Sequence, residues 1–500
     1  MSVEHHAFHV TEHLPALAAV VPLIGAVAAA LVRNGVAAWL VAVAVAWSLP
    51  VISILMLGQV EASGPISYAL GGWAPPAGIE FRVDQANAYL AILVSVMAAV
   101  VLTGAPRSIA DEIEPANRAW YYAVFLLCLC GLMGMIVTGD AFNVFVFMEI
   151  SSLATYVLIA MGRDRRALLA SYQYLIIGTV GATFYVIGVG LLLAMTGTLN
   201  LVDLAASLPE VEATRPLIAA AAFIVVGLGL KLALFPMHLW LPNAYAYAPS
   251  TASAFLASTA TKVAVYLLLR FAFSVFGIDF MLANTPAGVM LMTLAALAMI
   301  AGSLSAIFQT NVKRMLAYSS VSQIGYIILG IAMVSETGLT GGISHLFNHA
   351  LIKGCLFLAV ASAVFATGAV RIEDMAGLGR TMPITMGAFV IAGLGLIGVP
   401  GTAGFVSKWY LIQGAAEQGM WWIVAVIVVS SLMAVVYVGR IVEVAWFRAP
   451  AQRAPREAPI ELVAATVALA AAVLVFGLNT DFSAGVAADA ARILIEGYAR

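Results

Sequence analysis

The chain has 500 residues, of which 63% are hydrophobic and only 10% are charged, and its formal net charge is −2 at pH 7. Soluble domains carry about 25% charged residues, so this composition excludes a soluble multi-domain protein and indicates that a lipid bilayer surrounds the chain. The near-zero net charge provides no basic field for nucleic acid. Cys128, Cys130 and Cys355 all lie inside apolar runs without a zinc-binding spacing, so we interpret them as small core residues.

Hydrophobic runs long enough to cross a membrane recur along the whole chain. A transmembrane helix needs about 20 apolar residues and satisfies its own backbone hydrogen bonds. The loop 58–83 is long and rich in glycine and proline, which favours a short hairpin or cap, and 481–500 favours an amphipathic surface helix. The sequence therefore predicts an all-α membrane protein with fourteen spans, at 14–32, 36–57, 84–104, 117–138, 141–161, 169–196, 215–235, 250–277, 286–308, 313–334, 339–368, 383–413, 420–446 and 459–477.

The basic residues in the loops predict an orientation for these spans, because inner loops carry an excess of lysine and arginine. With both termini on the outer side, fourteen basic residues fall in inner loops and four in outer segments, as expected for a multi-pass protein of the bacterial inner membrane. The inner set is Arg33, Arg107, Arg118, Arg163, Arg165, Arg166, Lys313, Arg314, Arg371, Arg380, Arg440, Arg448, Arg453 and Arg456. The outer set is Arg82, Arg215, Arg492 and Arg500.

Several ionisable side chains lie within the apolar spans themselves. A charge near the centre of a bilayer costs at least ~2.5–3.5 kcal/mol, so an intramembrane charge favours a functional role. Arg270 lies close to the end of its span, so we expect it to extend to the interface and to matter less. Lysine suits proton relay because burial and neighbouring charges change its proton affinity strongly. The candidates are Glu149, in FNVFVFMEISSLATYVLIAM, and Lys231, Lys262, Lys353 and Lys408.

The segment GGISHLFNHALIKGCLFLA places His345, His349 and Lys353 four residues apart. On an α-helix this spacing forms one nearly continuous stripe. Histidine exchanges protons near neutral pH, so the stripe predicts part of a proton relay. Structural hydrogen bonding is an alternative interpretation. A metal site at His345 and His349 is another, although the HExxH motif is absent and no carboxylate is close in sequence.

Prolines interrupt two of the predicted spans beside a lysine. In GLGLKLALFPMHLWLPNAYAYAPS, Pro236 follows Lys231, and in GLGLIGVPGTAGFVSKWYL, Pro400 precedes Lys408. Proline breaks a helix, and the reversed order of lysine and break is typical of an inverted-topology repeat. We therefore predict two broken helices and two inverted five-helix repeats, spans 4–8 and 9–13. The predicted parts are N-terminal helices with an external loop, two repeats, and a last helix with a tail, at 1–110, 111–280, 281–447 and 448–500.

Six motifs together resemble the antiporter-like subunits shared by Mrp-type sodium/proton antiporters, respiratory complex I and membrane-bound hydrogenases. The stretch MEISSLATYVLIAMGRDRRALLASYQYLIIGT, followed by TGTLN, is most similar to the D-type member of the Mrp antiporter subunits. The resemblance runs from about residue 80 to 450. The motifs are FMEISSLATYVLIA, LKLALFPMHLWLPNAYAYAPS, TKVAVYLLLR, NVKRMLAYSSVSQIGY, HLFNHALIKGCLFL and GVPGTAGFVSKWYL.

This resemblance implies a fourteen-helix bundle with two inverted five-helix repeats, assembled with other membrane subunits. It implies that Glu149 and Lys231 form the ion pair of the first half-channel. It also implies that Lys262 links this pair to the centre of the protein. The stripe of His345, His349 and Lys353 would continue the axis. Lys408 would form the terminal site.

The expected function is a proton-translocating subunit of a multi-subunit sodium/proton antiporter, a transporter subunit and not an enzyme. Sodium is a candidate ion near Asp140 and Glu149, but no dedicated cluster of oxygen ligands is visible. The sequence shows no flavin, iron–sulfur or quinone motif, so we expect no cofactor and no bound metal. Three alternatives stay open: a proton-pumping subunit of a complex I-like or hydrogenase complex, a membrane coupling subunit of an inorganic-carbon transporter, and a scaffold with an inactive channel.

Overall fold

A computed structural model of the protein describes residues 10–211, 215–282, 286–368, 370–449 and 456–497. These residues are nearly all helical, as predicted. The described sheet is one antiparallel hairpin of β1 (Ile66–Ala69) and β2 (Glu80–Val83), in which Ile66 pairs with Val83. The hairpin lies in the loop where a hairpin or cap was predicted. Five short 3-10 helices connect longer elements, at Val10–His13, Leu70–Gly72, Pro115–Asn117, Leu208–Glu210 and Glu373–Met375.

The second and third helices begin at residues whose side chains satisfy free N–H groups of a helix start. The side chain of Asn34 accepts hydrogen bonds from the N–H groups of Val36 and Ala37, at 3.0 and 3.1 Å. Asp84 and Asn87 form a reciprocal capping box on the third helix. The helices of this part are α1 (Leu14–Val32), α2 (Gly35–Ser63), α3 (Gln85–Gly104) and α4 (Pro106–Glu112).

The central helices occupy the ranges predicted for the two repeats, and two more helices follow them. The first unit contains α5 (Arg118–Val137), α6 (Ala141–Ala160), α7 (Arg166–Thr196), α8 (Leu201–Ser207), α9 (Arg215–Lys231), α10 (Trp240–Tyr247), α11 (Ser250–Ser258), α12 (Ala260–Leu269) with a π-helical end at Arg270–Val275, and α13 (Ile278–Met281). The second contains α14 (Pro286–Ile307), α15 (Val312–Ala332), α16 (Glu336–Thr367), α17 (Leu378–Thr381), α18 (Pro383–Ile397), α19 (Ala403–Glu417) and α20 (Trp421–Phe447). After it come α21 (Ile460–Leu478), a π-helical turn at Asp481–Gly485, and the predicted surface helix α22 (Val486–Glu496).

Among the described residues, twelve helices are long and apolar enough to cross a membrane, or thirteen if the bent pair Glu373–Thr381 and Pro383–Ile397 counts as one span. The sequence predicts fourteen. The spans that differ are the two with proline breaks, 215–235 and 383–413, because the breaks leave short helices. Helix α9 has 17 residues, and α18 and α19 have 15 each.

The two units share a structural detail at the start of their second helix. Asp140 caps α6 by accepting the N–H of Asn143, and Asn311 caps α15 by accepting the N–H of Arg314. Each capping residue also forms an isolated β-bridge to the segment that follows the third helix of its unit, Asp140 to Asn200 and Asn311 to Arg371. This recurrence agrees with the predicted repeats.

Burial separates a central layer of helices from a peripheral one. In Ser250–Val275 and Val312–Ala332, 94% of the apolar window is buried within the chain, whereas in Trp421–Phe447 only 33% is. Helices α1, α2, α7 and α20 turn many large apolar side chains outwards, as a lipid-facing surface requires. The central layer contains most of the candidate residues.

Candidate functional site

The structure brings Glu149 and Lys231 together, as predicted. Glu149 lies in α6 and Lys231 is the last residue of α9, and the carboxylate Oε1 is 3.8 Å from the ammonium Nζ. The same Nζ donates a hydrogen bond to the hydroxyl of Ser152 at 2.6 Å. The side chain of Lys231 is 6% exposed and that of Glu149 is 27% exposed, so part of the Glu149 side chain reaches the surface of this chain, whereas its paired Oε1 is buried. Ser152 was not predicted, although it lies one turn after Glu149.

The helix break beside Lys231 leaves the lysine at a helix end. Residues 232–239 leave the α-helix, and Ala233 adopts a left-handed backbone conformation with φ of 60°. Trp240 Nε1 donates to the carbonyl of Leu230 at 2.9 Å, which satisfies one of the acceptors that the break frees. Carbonyl groups give a helix C-terminus a partial negative charge, which favours the ammonium of Lys231 there.

Lys262 lies at a third break, which was not predicted. Helix α11 ends at Ser258, and Thr259 departs from helical geometry with φ of −126° and ψ of −60° before α12 begins. The break frees the carbonyl of Ala257, and the ammonium of Lys262 donates a hydrogen bond to it. Ser258 and Thr259 also donate their hydroxyls to carbonyls of the preceding turn, at 2.8 and 2.7 Å, a pattern that bends helices.

A cavity of about 30 Å³ separates Lys231 from the face of α12. A water molecule needs only about 10–15 Å³ of such space and two to four polar partners. Four residues that carry hydroxyl groups line the cavity together with Lys231, namely Ser151, Ser152, Thr155 and Tyr174. The site therefore has both the room and the partners for water beside the first lysine.

The predicted histidine stripe occupies the middle of α16. His345 Nδ1 is 2.8 Å from the hydroxyl of Ser407, and its Nε2 is 2.9 Å from the side-chain oxygen of Gln323. The rings of His345 and His349 are parallel, with centroids 6.1 Å apart. His349 is fully buried, and within the described part of the chain neither of its ring nitrogens has a hydrogen-bond partner. Buried polar atoms are usually hydrogen-bonded to protein or to ordered water, so both ring nitrogens of His349 have capacity for a further partner.

One turn beyond His349, Lys353 directs its ammonium at α15. It donates to the carbonyl of Leu316 at 2.7 Å and to the hydroxyl of Ser319 at 2.5 Å. Its side chain is fully buried. The stripe thus continues from two histidines to a lysine that is held by neutral groups.

Lys408 lies in α19, after the second proline break. Its ammonium donates to the carbonyls of Leu396 and Ile397, both at 2.9 Å, and to the hydroxyl of Ser431 at 3.0 Å. Those carbonyls are the last two of α18, which ends at the break, so the lysine takes the place of the missing helical N–H donors. The ammonium also lies 4.6 Å from the centre of the Tyr326 ring.

Two contacts connect the histidine stripe to Lys408. Ser407, the neighbour of Lys408 in sequence, is hydrogen-bonded to His345. The ring of Tyr326 lies between the two groups, with its centroid 5.3 Å from that of His345. In the described residues, by contrast, no direct hydrogen bond joins Lys231 to Lys262.

Asp140 is not part of this line. It caps α6, nine residues before Glu149, and that separation corresponds to about 13 Å along a helix. The two carboxylates therefore do not form one sodium site. Within the described residues, no group of three or more histidine, cysteine or acidic side chains is arranged to hold a metal ion.

Two basic residues lie deeper than expected. Arg270 is 1% exposed and pairs with the carboxylate of Asp84, and its Nε donates to the hydroxyl of Tyr266 at 3.0 Å. The expectation that it extends to the interface is wrong, because a buried acid supplies its partner. Lys313, assigned above to an inner loop, lies in the first turn of α15, is 4% exposed, and donates to the carbonyl of Ala248 at 3.1 Å.

Comparisons with known proteins lead to the same protein family as the six sequence motifs. A family model described as NADH:quinone oxidoreductase/Mrp antiporter, transmembrane, matches residues 138–434. The chain is 44% identical over 460 residues, 90% of each protein, to the N subunit of the NADH-quinone oxidoreductase of Desulforudis audaxviator. It is 31% identical over 448 residues, 89% of each, to the D subunit of the Na(+)/H(+) antiporter of Bacillus subtilis. Among solved structures, a chain of the Mrp complex from Dietzia sp. superposes with a TM-score of 0.89 at 26% identity, and the match covers 98% of each chain.

Proposed function

This chain belongs to the family of transmembrane subunits shared by NADH:quinone oxidoreductases and Mrp antiporters, and from that premise we propose that it is the proton-translocating subunit of a multi-subunit sodium/proton antiporter. It is a multi-pass integral membrane protein. In this proposal it lies in the bacterial inner membrane with both termini outside, among other membrane subunits. The observation that carries the proposal is the line of buried ionisable groups from Glu149 to Lys408.

The partners of the lysines suit proton transfer. Among the described residues, Lys231 is the lysine of the line that forms an ion pair with a carboxylate. The ammonium groups of Lys262, Lys353 and Lys408 bind carbonyl and hydroxyl oxygens instead. A lysine without a carboxylate partner can release its proton without leaving a buried, unpaired anion behind. Each can therefore alternate between charged and neutral forms.

Charge movement along the line would begin at the ion pair. When Lys231 is protonated, Glu149 stabilises it, and loss of that interaction lowers the affinity of Lys231 for its proton. Water in the adjoining cavity can then connect Lys231 towards α12 and Lys262. His349 has no protein partner on either ring nitrogen within the described residues, so it can accept and release a proton through water, as histidine does readily.

Sodium passes through another part of the assembly in this proposal. A sodium ion needs several oxygen ligands, and the line described here is cationic or imidazole-based at all positions except Glu149. A fixed positive charge at the lysines repels a second cation. Protons move by exchange between the side chains, so the same charges permit them.

The second candidate function is proton pumping driven by a redox partner. The observation that favours it is the 44% identity to the N subunit of an NADH-quinone oxidoreductase, against 31% to the D subunit of an antiporter. The two functions would use the same buried line. They differ in the source of energy, which lies in the partner subunits.

The test measures cation-dependent pH recovery in inverted membrane vesicles that contain the whole assembly, with sodium and with potassium. We expect sodium-dependent recovery, and an at least tenfold loss in Glu149→Gln, because this change removes the charge while preserving shape. Glu443→Gln is the matched control, since Glu443 forms a surface pair with Arg448 and lies outside the line.

Absence of cation-dependent recovery, together with acidification of the vesicles only when NADH or another electron donor is supplied, would replace the antiporter proposal with the redox-driven one. Full activity in Glu149→Gln under either energy source would remove the ion pair from the mechanism.

A further inference from the structure

A cavity of about 410 Å³ lies beside the turn between α1 and α2, and none of its lining residues belongs to the proton line. Its volume is within the usual range for small-ligand sites. Helices α1 and α2 are spanning helices, so the turn between them lies at the membrane surface. The residues that matter for its chemistry are Arg33, Asn34, Gly35, Trp39, Arg118 and Tyr122.

Arg118 is held in place with part of its guanidinium free. Its Nε donates to the carbonyl of Ile113 at 3.1 Å, and its Nη2 donates to that of Ala110 at 2.6 Å. Its side-chain stem packs on Gly35, where an added Cβ would lie 3.0 Å from the Cβ of Arg118. The remaining nitrogen, Nη1, forms no hydrogen bond among the described residues, so a preoriented donor is available.

Arg33 supplies a second guanidinium. It ends α1 in a left-handed conformation, with φ of 53°, and its side chain is exposed without a hydrogen bond or ion pair within the described residues. Helix α2 begins two residues later, with Asn34 as its cap, so the positive end of a 29-residue helix adds to the field at the same place.

The lining residues of this cavity include no acidic residue. The acids of the neighbouring helix α4 are engaged elsewhere, because Glu112 accepts hydrogen bonds from Ser108 and from the N–H of Ser250, and Asp111 lies 4.0 Å from Arg163. The described lining therefore carries an uncompensated positive charge, which suits a bound anion.

The surroundings indicate a lipid as the source of that anion. Trp39 and Tyr122 line the cavity, and these residue types are enriched at the level of lipid headgroups. Leu31, Val36 and Leu40 beside the cavity are 75%, 68% and 56% exposed, which gives acyl chains an apolar surface to follow. Arginine is well suited to binding phosphate through charge-assisted hydrogen bonds, and basic pockets between transmembrane helices bind anionic headgroups. We propose that this cavity binds the phosphate of an anionic phospholipid, with Arg33 and Arg118 as its ligands.

The experiment uses the purified assembly and native mass spectrometry during titration with phosphatidylglycerol, with phosphatidylcholine and inorganic phosphate in parallel. Arg33→Asn removes one guanidinium and suits the left-handed backbone, which asparagine tolerates. We expect it to weaken the tightest phosphatidylglycerol binding at least fivefold, and we expect Arg33→Lys to keep most of that binding. Arg165→Asn is the matched control, because Arg165 is an exposed basic residue on another loop, predicted to lie on the same face.

Equal weakening in Arg33→Asn and Arg165→Asn would overturn the proposal, because it would show a general effect of surface charge. Competition by millimolar inorganic phosphate without a preference for phosphatidylglycerol would overturn the lipid as the source. An unchanged affinity in Arg33→Asn would overturn the assignment of the site.

Discussion

The ion pair of Glu149 and Lys231 combines a partly exposed side chain with a buried one. The side chain of Glu149 is 27% exposed on this chain, whereas that of Lys231 is 6% exposed and its ammonium also binds Ser152. Loss of either partner leaves the other uncompensated, but water can reach the carboxylate more easily than the ammonium. The two single substitutions therefore have different effects on stability.

We predict that Glu149→Gln lowers the unfolding free energy of the assembly more than Lys231→Met does, and that the two variants differ by about 1–3 kcal/mol. The reason is that Glu149→Gln leaves the buried ammonium of Lys231 without its counter-ion. The double variant should be more stable than Glu149→Gln alone. Thermal unfolding of the purified assembly in detergent measures this double-mutant cycle. Additive effects of the two changes would show that the pair is not coupled in the native state.

At the scale of helices, the sequence predicts breaks where prolines occur and misses the break where none occurs. Pro236 and Pro400 remove backbone donors beside Lys231 and Lys408, so two broken spans are readable from residue type alone. The interruption at Thr259 depends on hydroxyl-to-carbonyl hydrogen bonds and on the buried Lys262, which a single sequence does not reveal.

The same limit applies to individual partners. The four-residue spacing of the histidine stripe follows from helix geometry, so its common face is predictable. The partners of Lys353 and Lys408 come from other helices, and no local pattern identifies Leu316, Leu396 or Ser431 as acceptors. Asp84 is 186 residues from Arg270 in sequence, so the span that contains Arg270 does not reveal its partner. For this reason the sequence predicts an arginine at the interface, whereas the structure has a buried ion pair.

The Arg270–Asp84 pair fastens the π-helical end of α12 to the start of α3. We predict that Arg270→Met lowers the unfolding free energy by about 3–5 kcal/mol, because it leaves the buried carboxylate of Asp84 unpaired. Thermal unfolding, with the amount of assembled complex in membranes, measures the effect. Arg380→Met is the control, since Arg380 is exposed.

Substituting the partner as well provides a second check on this pair. Asp84→Asn keeps an N-cap on α3, so the double variant with Arg270→Met should recover part of the lost stability. If Arg270→Met unfolds no earlier than Arg380→Met, the pair does not stabilise the native fold.

For the whole molecule, the excess of basic residues in alternate loops predicts the orientation in the membrane. Ser63, at the end of α2, should face outwards, and Arg165, at the start of α7, should face inwards; both are exposed. The native cysteines are buried, so a cysteine introduced at either position can be labelled selectively. We predict that a membrane-impermeant maleimide labels Ser63→Cys in cells whose envelope is permeabilised outside an intact inner membrane. The same reagent should label Arg165→Cys only in inverted vesicles. The reverse labelling pattern would invert the topology.

The hydrogen bonds of Lys408 allow one geometry to serve two chemical forms of the side chain. An ammonium donates three hydrogen bonds, and here it meets two carbonyls and the hydroxyl of Ser431. A neutral amine donates only two and accepts one, but a hydroxyl can donate as well as accept. Rotation of the Ser431 hydroxyl hydrogen, from the Tyr326 hydroxyl 3.2 Å away to the amine nitrogen, therefore keeps the three hydrogen bonds of Lys408 when the proton leaves, and the end of α18 stays capped. The side chain need not change its position during a transport cycle, because the reorientation is confined to one hydrogen atom.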